Sequence, residues 1–419
     1  MVLAIHLTKA QLTHTIACLD KALHSTYPAY TVMSDYFKVH RIGLGKIDRD
    51  MIADLVFDAL RHLTQFQSRY GQTISVRKIV LATLIQLQDK AIESTDFFTP
   101  AEIEWLDVPP HIVPDDLVAK SGLPRWIIDG IAKSDKEIIQ LGQALLKPAS
   151  LDLRVNTYQA KRDEILAILV SEGIAVSKTP YSPIGLRLKT PFPIYKHPLF
   201  LRGVLEVQDE GSQLVGLLVG AKRYEKNVDF CAGAGGKALQ IGAQMASTGR
   251  LYAFDTSKEK LHQLNDRLRR SGLTNVTPQW IANERDLRIQ MLYQKMDRVL
   301  VDAPCSNVGT LRRHPDLRYR QSDKALDELT QSQFNILCAA AQLVKPNGRL
   351  VYAACSFLKA ENEAIIKCFL TAFPSFVVCR AQSILSKQAI DIACGDFLHL
   401  TPNQHDTDGF FVAVLALSK

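Results

Sequence analysis

The chain has 419 residues, of which 47% are hydrophobic and 22% charged, a composition typical of folded globular proteins and not of disordered chains. Its net charge is +7, and because the first 148 residues are nearly neutral, a polyanionic partner is expected on the rest. No apolar stretch is long enough to cross a bilayer and no secretory signal is visible, which predicts a cytoplasmic protein without a membrane partner. The eight cysteines form no CxxC pair and no zinc-type cluster, so free thiols and no metal site are expected.

The first 147 residues are predicted to form a helical domain. Apolar residues recur there at spacings of three and four, the pattern of amphipathic helices. The predicted helices cover residues 10–23, 49–66, 75–89 and 117–133, and Pro109, Pro110 and Pro114 predict a loop. The domain is either a plain helical bundle or a domain that docks on RNA, and its near-zero charge favours neither.

Residues 148–203 predict a small α/β module. Alternating apolar residues indicate strands near 151–155, 175–176 and 185–189, and a helical pattern covers 161–172. Compact modules of this pattern often bind RNA, so the segment is either an RNA-binding module or a structural bridge.

From residue 204 to 419 the chain alternates strands with helices, which predicts a doubly wound, mainly parallel sheet. The predicted strands are 228–231, 251–255, 276–280, 298–302 and 349–354. The predicted helices are 257–271, 323–344 and 361–372, and 409–417 adds a late, antiparallel strand.

A glycine-rich turn follows the first strand of this sheet. Gly233, Gly235 and Gly236 let the backbone approach a ligand, but no GxxxxGK[ST] or GxGxxG pattern supports triphosphate or dinucleotide binding. Asp255 ends the second strand, where it is suited to the hydroxyls of an adenosyl ribose, with a surface carboxylate as the alternative. Asp286 lies in the loop after the third strand, where an adenine edge would bind.

Two cysteines come just after neighbouring strands. Asp302 and Cys305 follow the fourth strand and Cys355 follows the fifth, so both thiols are expected in one pocket. Asp302 can accept hydrogen bonds from an amidine-like edge such as that of cytosine. The basic segment 312–320 with Tyr319 is suited to phosphates and base stacking, or is a solvated charged loop.

This arrangement suits methylation of a pyrimidine at its unreactive 5-carbon. A thiolate that adds to the 6-carbon makes the 5-carbon nucleophilic toward an activated methyl group, and removal of the 5-proton then expels the thiolate. Two cysteines allow one nucleophile and one helper for the elimination.

Together these segments resemble the RsmB/Nop/Sun family of S-adenosylmethionine-dependent RNA 5-methylcytosine methyltransferases. The motifs are VQDEGSQL (207–214), DFCAGAGGK (229–237), DAPCS with GTLRRHPD (302–316), YAACS with ENE (352–363) and TDGFF (407–411). The segment from 27 to 62 resembles more loosely the NusB-like helical domain of the bacterial RsmB branch. The resemblance implies a Rossmann-like class I methyltransferase domain at 204–419, a small α/β RNA-binding module at 148–203 and an N-terminal helical NusB-like domain at 1–147.

The resemblance also implies residue roles. Cys355 would be the nucleophile and Cys305 would assist product release, with Asp302 and Lys237 as further catalytic residues. The S-adenosyl-L-methionine site would comprise Cys231, Ala232, Gly233, Ala234, Gly235, Gly236, Lys237, Asp255, Asp286 and Asp302.

Five positions depart from the family pattern. Asn307 replaces a glycine, Ala238 and Ala354 each replace a threonine, and Lys359-Ala360 replaces a Pro-Glu pair. The hydroxyl lost at Ala354 could orient the pocket, whereas an asparagine at 307 tolerates positive φ better than most residues. No reacting group is lost, so activity is expected.

The expected function is methylation of a cytosine in RNA, 16S ribosomal RNA being favoured over transfer RNA, by a monomer. A DNA cytosine methylase would use the Pro-Cys cysteine as nucleophile and would not need Cys355. The alternative from another class is a non-catalytic RNA-binding ribosome assembly factor that keeps the fold.

Overall fold

The computed structural model describes residues 7–86, 99–106, 116–320 and 323–418. The chain divides into two compact units. The helical unit consists of Met1–Pro148 and Thr310–Ser322, and the sheet unit consists of Ala149–Gly309 and Asp323–Lys419. The three-domain division of the sequence stays a prediction. Among the described residues, no helix combines the length and the apolar character that a membrane span requires.

The helical unit is built from eight helices in its described part. They are α1 (Lys9–His24), α2 (Ala29–Val39), α3 (Lys46–Tyr70), α4 (Val76–Gln86), α5 (Pro100–Leu106), α6 (Leu117–Ser121), α7 (Arg125–Gly130) and α8 (Asp135–Leu145). Apolar faces of α1 to α4 form one buried core. Thr8 caps α1 by accepting a hydrogen bond from Gln11 N, and α3 ends at Gly71, whose φ is +98°.

Three of the four predicted N-terminal helices are confirmed in their described parts. The single helix predicted over 117–133 is wrong, because Gly122 adopts a left-handed φ of +68° and Pro124 precedes a new helix. Helices α2, α5 and α8 were not predicted. The end of the 75–89 helix and the proline loop lie outside the described residues.

The segment Thr310–Ser322 forms part of the helical unit, so the prediction that its basic residues bind phosphate is wrong for the buried ones. Arg318 is 1% exposed and donates hydrogen bonds to the carbonyl oxygens of Arg61 (2.9 Å) and Leu145 (3.1 Å). The Tyr319 hydroxyl lies 2.9 Å from the Thr64 hydroxyl. Burial lowers the pKa of Arg318 to about 10. These groups hold the helical unit together.

The sheet unit begins with a four-stranded antiparallel sheet in the order β2-β3-β1-β4. Its elements are β1 (Leu151–Val155), α9 (Arg162–Ser171), β2 (Val176–Lys178), β3 (Gly185–Leu188), α10 (Pro198–Leu201) and β4 (Leu205–Val207). The predicted helix 161–172 and all three predicted strands of this module are therefore confirmed.

A second, larger sheet follows. Its first half comprises α11 (Glu210–Val219), β5 (Lys226–Asp229), α12 (Gly236–Gln244), β6 (Arg250–Asp255), α13 (Lys258–Ser271), β7 (Val276–Trp280), α14 (Leu287–Gln290) and β8 (Met296–Asp302). Its second half comprises α15 (Asp323–Ala341), β9 (Val344–Ala354), α16 (Glu363–Ala372), β10 (Phe376–Cys379), α17 (Ala381–Ser386), β11 (Leu398–Leu400), α18 (Pro402–His405) and β12 (Phe410–Leu417).

The strand order of the larger sheet is β10-β12-β9-β8-β5-β6-β7, and β11 pairs with β12. Strands β5 to β9 are parallel, whereas β12 runs antiparallel to β9, which confirms the predicted doubly wound sheet with a late antiparallel strand. The chain runs from β5 outward to β7 and returns to β8 on the other side of β5. This reversal opens a crevice at the carboxyl ends of β5 and β8, the place where open α/β sheets bind ligands.

Candidate active site

The crevice is a cavity of about 640 Å³, lined by the loops that follow β5 to β9. It brings together all of the predicted site residues except Gly235 and Asp286. Gln208, Arg267, Asn283, Glu284 and Asn307 also line it, and sequence reasoning assigned none of these five to the cavity. Within the described residues, no group of three or more His, Cys, Asp or Glu side chains is arranged to hold a metal ion.

The glycine loop between β5 and α12 is fixed by Asp255. Gly233 has a φ of +55°, and its N–H donates to Asp255 Oδ2 at 2.7 Å, while Asp255 Oδ1 accepts from Ser257 N at 2.7 Å. Gly235 has a φ of +86°, and a Cβ there would lie 2.1 Å from Leu264 Cδ1. Gly235 therefore shapes the loop from behind and does not line the cavity.

Asp286 caps α14 and does not line the cavity. Its carboxylate accepts hydrogen bonds from Ala282 N and Arg288 N, each at 3.0 Å. These backbone donors, with the Arg288 guanidinium nearby, lower the pKa of Asp286. Asn283 and Glu284, from the same loop, face the cavity instead. Asp286 therefore lies in a loop that lines the cavity, but its own carboxylate binds backbone N–H groups of that loop.

A partly buried ion pair lines the crevice. Lys237 Nζ is 2.7 Å from Asp302 Oδ2, with side-chain exposures of 11% and 28%, and the ammonium also lies 5.3 Å from the centre of the Phe410 ring. Burial lowers the pKa of Lys237, but Asp302 and neighbouring acids outweigh this effect and raise it above its ordinary value. Lys237 is therefore a fixed cation.

Asp229 and Cys231 lie beside this pair, at the end of β5. Burial, followed by the negative charge of Asp302, raises the pKa of Asp229 to about 7. Burial and then Asp229 raise the pKa of the Cys231 thiol well above its ordinary value. A raised pKa favours the protonated thiol, which is a weaker nucleophile than the thiolate.

The two remaining thiols of the site are in contact. Cys305 Sγ lies 3.1 Å from Cys355 Sγ, although the residues are fifty positions apart. Asn307 Nδ2 donates to Cys305 O at 2.9 Å, which fixes the amide so that its Oδ1 accepts from Cys355 Sγ at 2.9 Å. The hydrogen bond with Cys355 and then burial raise the pKa of Cys305 well above its ordinary value. Cys305 therefore keeps its proton at neutral pH.

Arg267 connects the cavity to the smaller sheet. Its Nη1 donates to Ala234 O in the glycine loop at 2.8 Å, and its Nη2 pairs with Glu206 Oε2 at 2.9 Å. Glu206 lies on β4 and is 3% exposed. This contact joins the glycine loop to the small module, and no sequence pattern indicated it.

Two family models match the chain. The 16S rRNA methyltransferase RsmB/F model matches residues 217–416, and the ferredoxin-like domain model of RsmF/B-like methyltransferases matches 123–195. The ribosomal RNA small subunit methyltransferase B of Klebsiella pneumoniae is 31% identical over 307 residues, which is 70% of this chain and 65% of that protein. The chain thus spans just under two thirds of the length of the curated relatives that it matches.

Solved structures share the fold. The crystal structure of PH0851 aligns over 100% of both chains with a TM-score of 0.79 at 24% sequence identity. The crystal structure of NSun6 from Pyrococcus horikoshii aligns over 68% of this chain and 95% of its own with a TM-score of 0.60 at 19% identity. The two family models agree with the motifs and with the sheet order, and they assign residues 123–195 and 217–416 to the RsmB/F family of methyltransferases.

Proposed function

We propose that this protein transfers a methyl group from S-adenosylmethionine to the 5-carbon of a cytosine in RNA, and that the RNA is 16S ribosomal RNA. The observation that carries the proposal is the pair of contacting thiols, Cys305 and Cys355, at the carboxyl ends of β8 and β9 in the cavity that contains the glycine loop. The names of the curated relatives support ribosomal RNA as the substrate. Binding to RNA is also consistent with the net charge of +7. The cytoplasmic location and monomeric state stay predictions.

The cavity suits the methyl donor, which supplies an electrophilic methyl group when bound. The space beside Gly233 is open, so loop backbone is accessible to a ligand. We assign Asp255 to the ribose hydroxyls, because the loop holds its carboxylate rigidly at the end of β6. We assign Asn283, and not Asp286, to the edge of the adenine base, because Asn283 lines the cavity. Asp286 shapes the loop that contains both residues. The solved NSun6 structure holds SFG, an analogue of S-adenosylmethionine.

The chemistry needs one thiolate and a polar clamp on cytosine. Cys355, more accessible than the buried Cys305, loses its proton and its sulfur adds to the 6-carbon. The 5-carbon then takes the methyl group, and a base removes the 5-proton. The electrons of that C–H bond restore the C5–C6 double bond as the C6–S bond breaks, and Cys355 leaves as thiolate. Cys355 then regains a proton, so the net reaction moves one methyl group from the donor, whose sulfonium becomes a thioether, and releases the proton of the 5-carbon.

The other residues have supporting roles in this proposal. Asp302 accepts hydrogen bonds from the cytosine edge, and Lys237 fixes the Asp302 carboxylate through their 2.7 Å ion pair. Cys305 assists the elimination, because its Sγ is 3.1 Å from the sulfur that must leave. The target base must also leave its stack to reach the cavity.

Cysteine variants test the covalent route. Each variant is incubated with unmodified ribosomal or transfer RNA and S-adenosylmethionine, and then analysed by denaturing gel and nucleoside mass spectrometry. Cys355→Ala should give neither 5-methylcytidine nor an adduct, whereas Cys305→Ala should accumulate a protein–RNA adduct. Cys368→Ala removes an exposed thiol on α16 and serves as the matched control with unchanged methylation.

The outcomes separate the alternatives. An adduct that forms without Cys355 but not without Cys305 would reverse the two roles. Product in transfer RNA alone would replace ribosomal RNA as the substrate. No product in naked RNA or in small ribosomal subunits would refute the enzyme proposal and favour a non-catalytic assembly factor.

A further inference from the structure

A buried carboxylate joins the two turns that contain the reactive cysteines. Glu361 is 0% exposed and precedes α16. Its Oε1 accepts from Ser306 N at 2.7 Å, and its Oε2 accepts from the hydroxyls of Ser306, at 2.5 Å, and Ser356. Ser306 directly follows Cys305, and Ser356 directly follows Cys355. One carboxylate group therefore binds the residue after each thiol.

The carboxylate is itself held in place by its neighbours. Gln333 on α15 donates to Glu361 Oε1 at 2.9 Å and to Pro304 O at 3.0 Å. The buried Tyr352 hydroxyl donates to Glu361 O at 2.7 Å. Because α15 and β9 fix both ends of Glu361, its carboxylate is a rigid anchor and not a flexible surface group.

Such an anchor is needed because the cysteines lie beyond the strand pairing. The β8–β9 ladder pairs Asp302 with Ala353, and its last backbone bond joins Ala303 N to Ala353 O at 2.9 Å. Cys305 and Cys355 follow in the turns, where the sheet no longer sets their separation. Gly309 N donates to Cys355 O at 2.9 Å and restrains one turn, whereas Glu361 contacts both turns directly after the cysteines.

We propose that Glu361 is a positioning residue that sets the contact between the Cys305 and Cys355 thiols. The inference rests on the proposed function in that both thiols act in one reaction, but the contact itself is measurable without RNA or methyl donor. Charge-assisted hydrogen bonds to the two serines give the carboxylate the strength to hold the turns together. A neutral or truncated side chain at position 361 should let the turns separate.

Thiol–disulfide exchange measures this contact. In defined glutathione buffers, one oxidised glutathione converts the two thiols to a disulfide and leaves two reduced glutathione molecules. Peptide mass spectrometry quantifies the Cys305–Cys355 bond in each buffer. The variants are Glu361→Gln and Glu361→Ala, with Glu363→Gln as the matched control, because Glu363 lies in the same motif with a 43% exposed side chain.

We expect the equilibrium constant for the disulfide to fall about tenfold in Glu361→Ala, which corresponds to the loss of one charge-assisted hydrogen bond. In Glu361→Gln the equilibrium constant should fall about threefold, because the amide can still bridge the two serine hydroxyls. Glu363→Gln should match the wild type. If Glu361→Ala does not fold by circular dichroism, Glu361→Gln and Ser356→Ala, which keep the rest of the network, decide the question.

The proposal would be overturned if the disulfide equilibrium constants of the folded Glu361 variants lay within 1.5-fold of that of Glu363→Gln. A change below about twofold is smaller than the net effect of one neutral hydrogen bond. In methylation assays the same variants should lose kcat while KM for RNA stays unchanged. If the wild-type protein does not methylate RNA but the Glu361 variants show the expected fall in the disulfide equilibrium constant, only the proposed function is refuted. Normal methylation with an unchanged disulfide constant would refute the role of Glu361 alone.

Discussion

Replacement of Lys237 by methionine tests the partly buried ion pair of the cavity. Lys237→Met keeps the length of the side chain but leaves the Asp302 carboxylate, 28% exposed and 2.7 Å from the former ammonium, without its cation. Removal of one partner of a fully buried pair costs about 3–5 kcal/mol. Because Asp302 retains some solvent contact, we expect a loss near the lower limit, about 3 kcal/mol of unfolding free energy.

A double-mutant cycle separates this cost from lost packing. Lys237→Met with Asp302→Asn removes both charges, so about 2 kcal/mol of the loss should return as coupling energy. The exposed pair Lys38–Asp35, with side-chain exposures of 73% and 64%, is the control. Its cycle should give less than about 0.5 kcal/mol.

The chain offers a specific probe for this measurement. Of its three tryptophans, Trp105 and Trp126 belong to the helical unit, and Trp280 ends β7 in the sheet unit. With Trp105 and Trp126 replaced by phenylalanine, urea unfolding followed by fluorescence reports on the sheet unit. A Lys237→Met variant as stable as its parent, or a cycle with coupling no larger than that of Lys38–Asp35, would refute the reasoning.

Two further predictions concern buried polar groups. Asp229 keeps its proton in the folded state up to about pH 7, whereas the unfolded group loses it near pH 4, so wild-type stability should fall relative to Asp229→Asn across this range by about 4 kcal/mol. A stability difference that is constant from pH 4 to pH 8 in urea titrations would contradict this. In the helical unit, Tyr319→Phe should lower the free energy of unfolding by about 1 kcal/mol, because the hydrogen bond to Thr64 is lost. Arg318→Met should lower it by about 3 kcal/mol. Thermal unfolding measures both losses, and unchanged stability would restore the two alternatives for this segment, a loop that binds phosphates and bases or a solvated charged loop.

Regular elements of the sheet unit could be predicted because their apolar patterns are strong. The alternation of strands and helices predicts the parallel sheet, and the glycines and cysteines in the turns predict which edge of the sheet contains the cavity. The error over 117–133 has a local cause: apolar spacing continues through Gly122 and Pro124, and periodicity alone does not register a left-handed residue. A left-handed glycine followed by a proline separates two helices even where the apolar spacing continues.

Contacts between distant segments could not be predicted in the same way. The residues around Arg318 have the composition of a solvated basic loop, but its guanidinium donates to the carbonyl oxygens of Arg61 and Leu145, which lie 257 and 173 residues earlier in the chain. In the sequence, Glu361 is visible only as part of a family motif. Its partners Ser306 and Gln333 come close to it only in the folded chain. Asn283 and Asp286 lie in the same loop, and the backbone conformation of the loop determines which of the two side chains faces the cavity. No pattern in the sequence indicates that conformation.

The structure explains the departures from the family pattern at positions 238, 307 and 354, and it offers no explanation for Lys359-Ala360. Ala354 and Ala238 are both 0% exposed and belong to hydrophobic clusters, so the methyl groups fill core space and the expected effect of Ala354 on the pocket has no contact to support it. Asn307 has a left-handed φ of +58°, a conformation that asparagine adopts more readily than other residues with a side chain. Glycine would fit that backbone equally well but would provide no amide to bind Cys355. The substitution at position 307 therefore changes the surroundings of the Cys355 thiol, while those at 238 and 354 change the core.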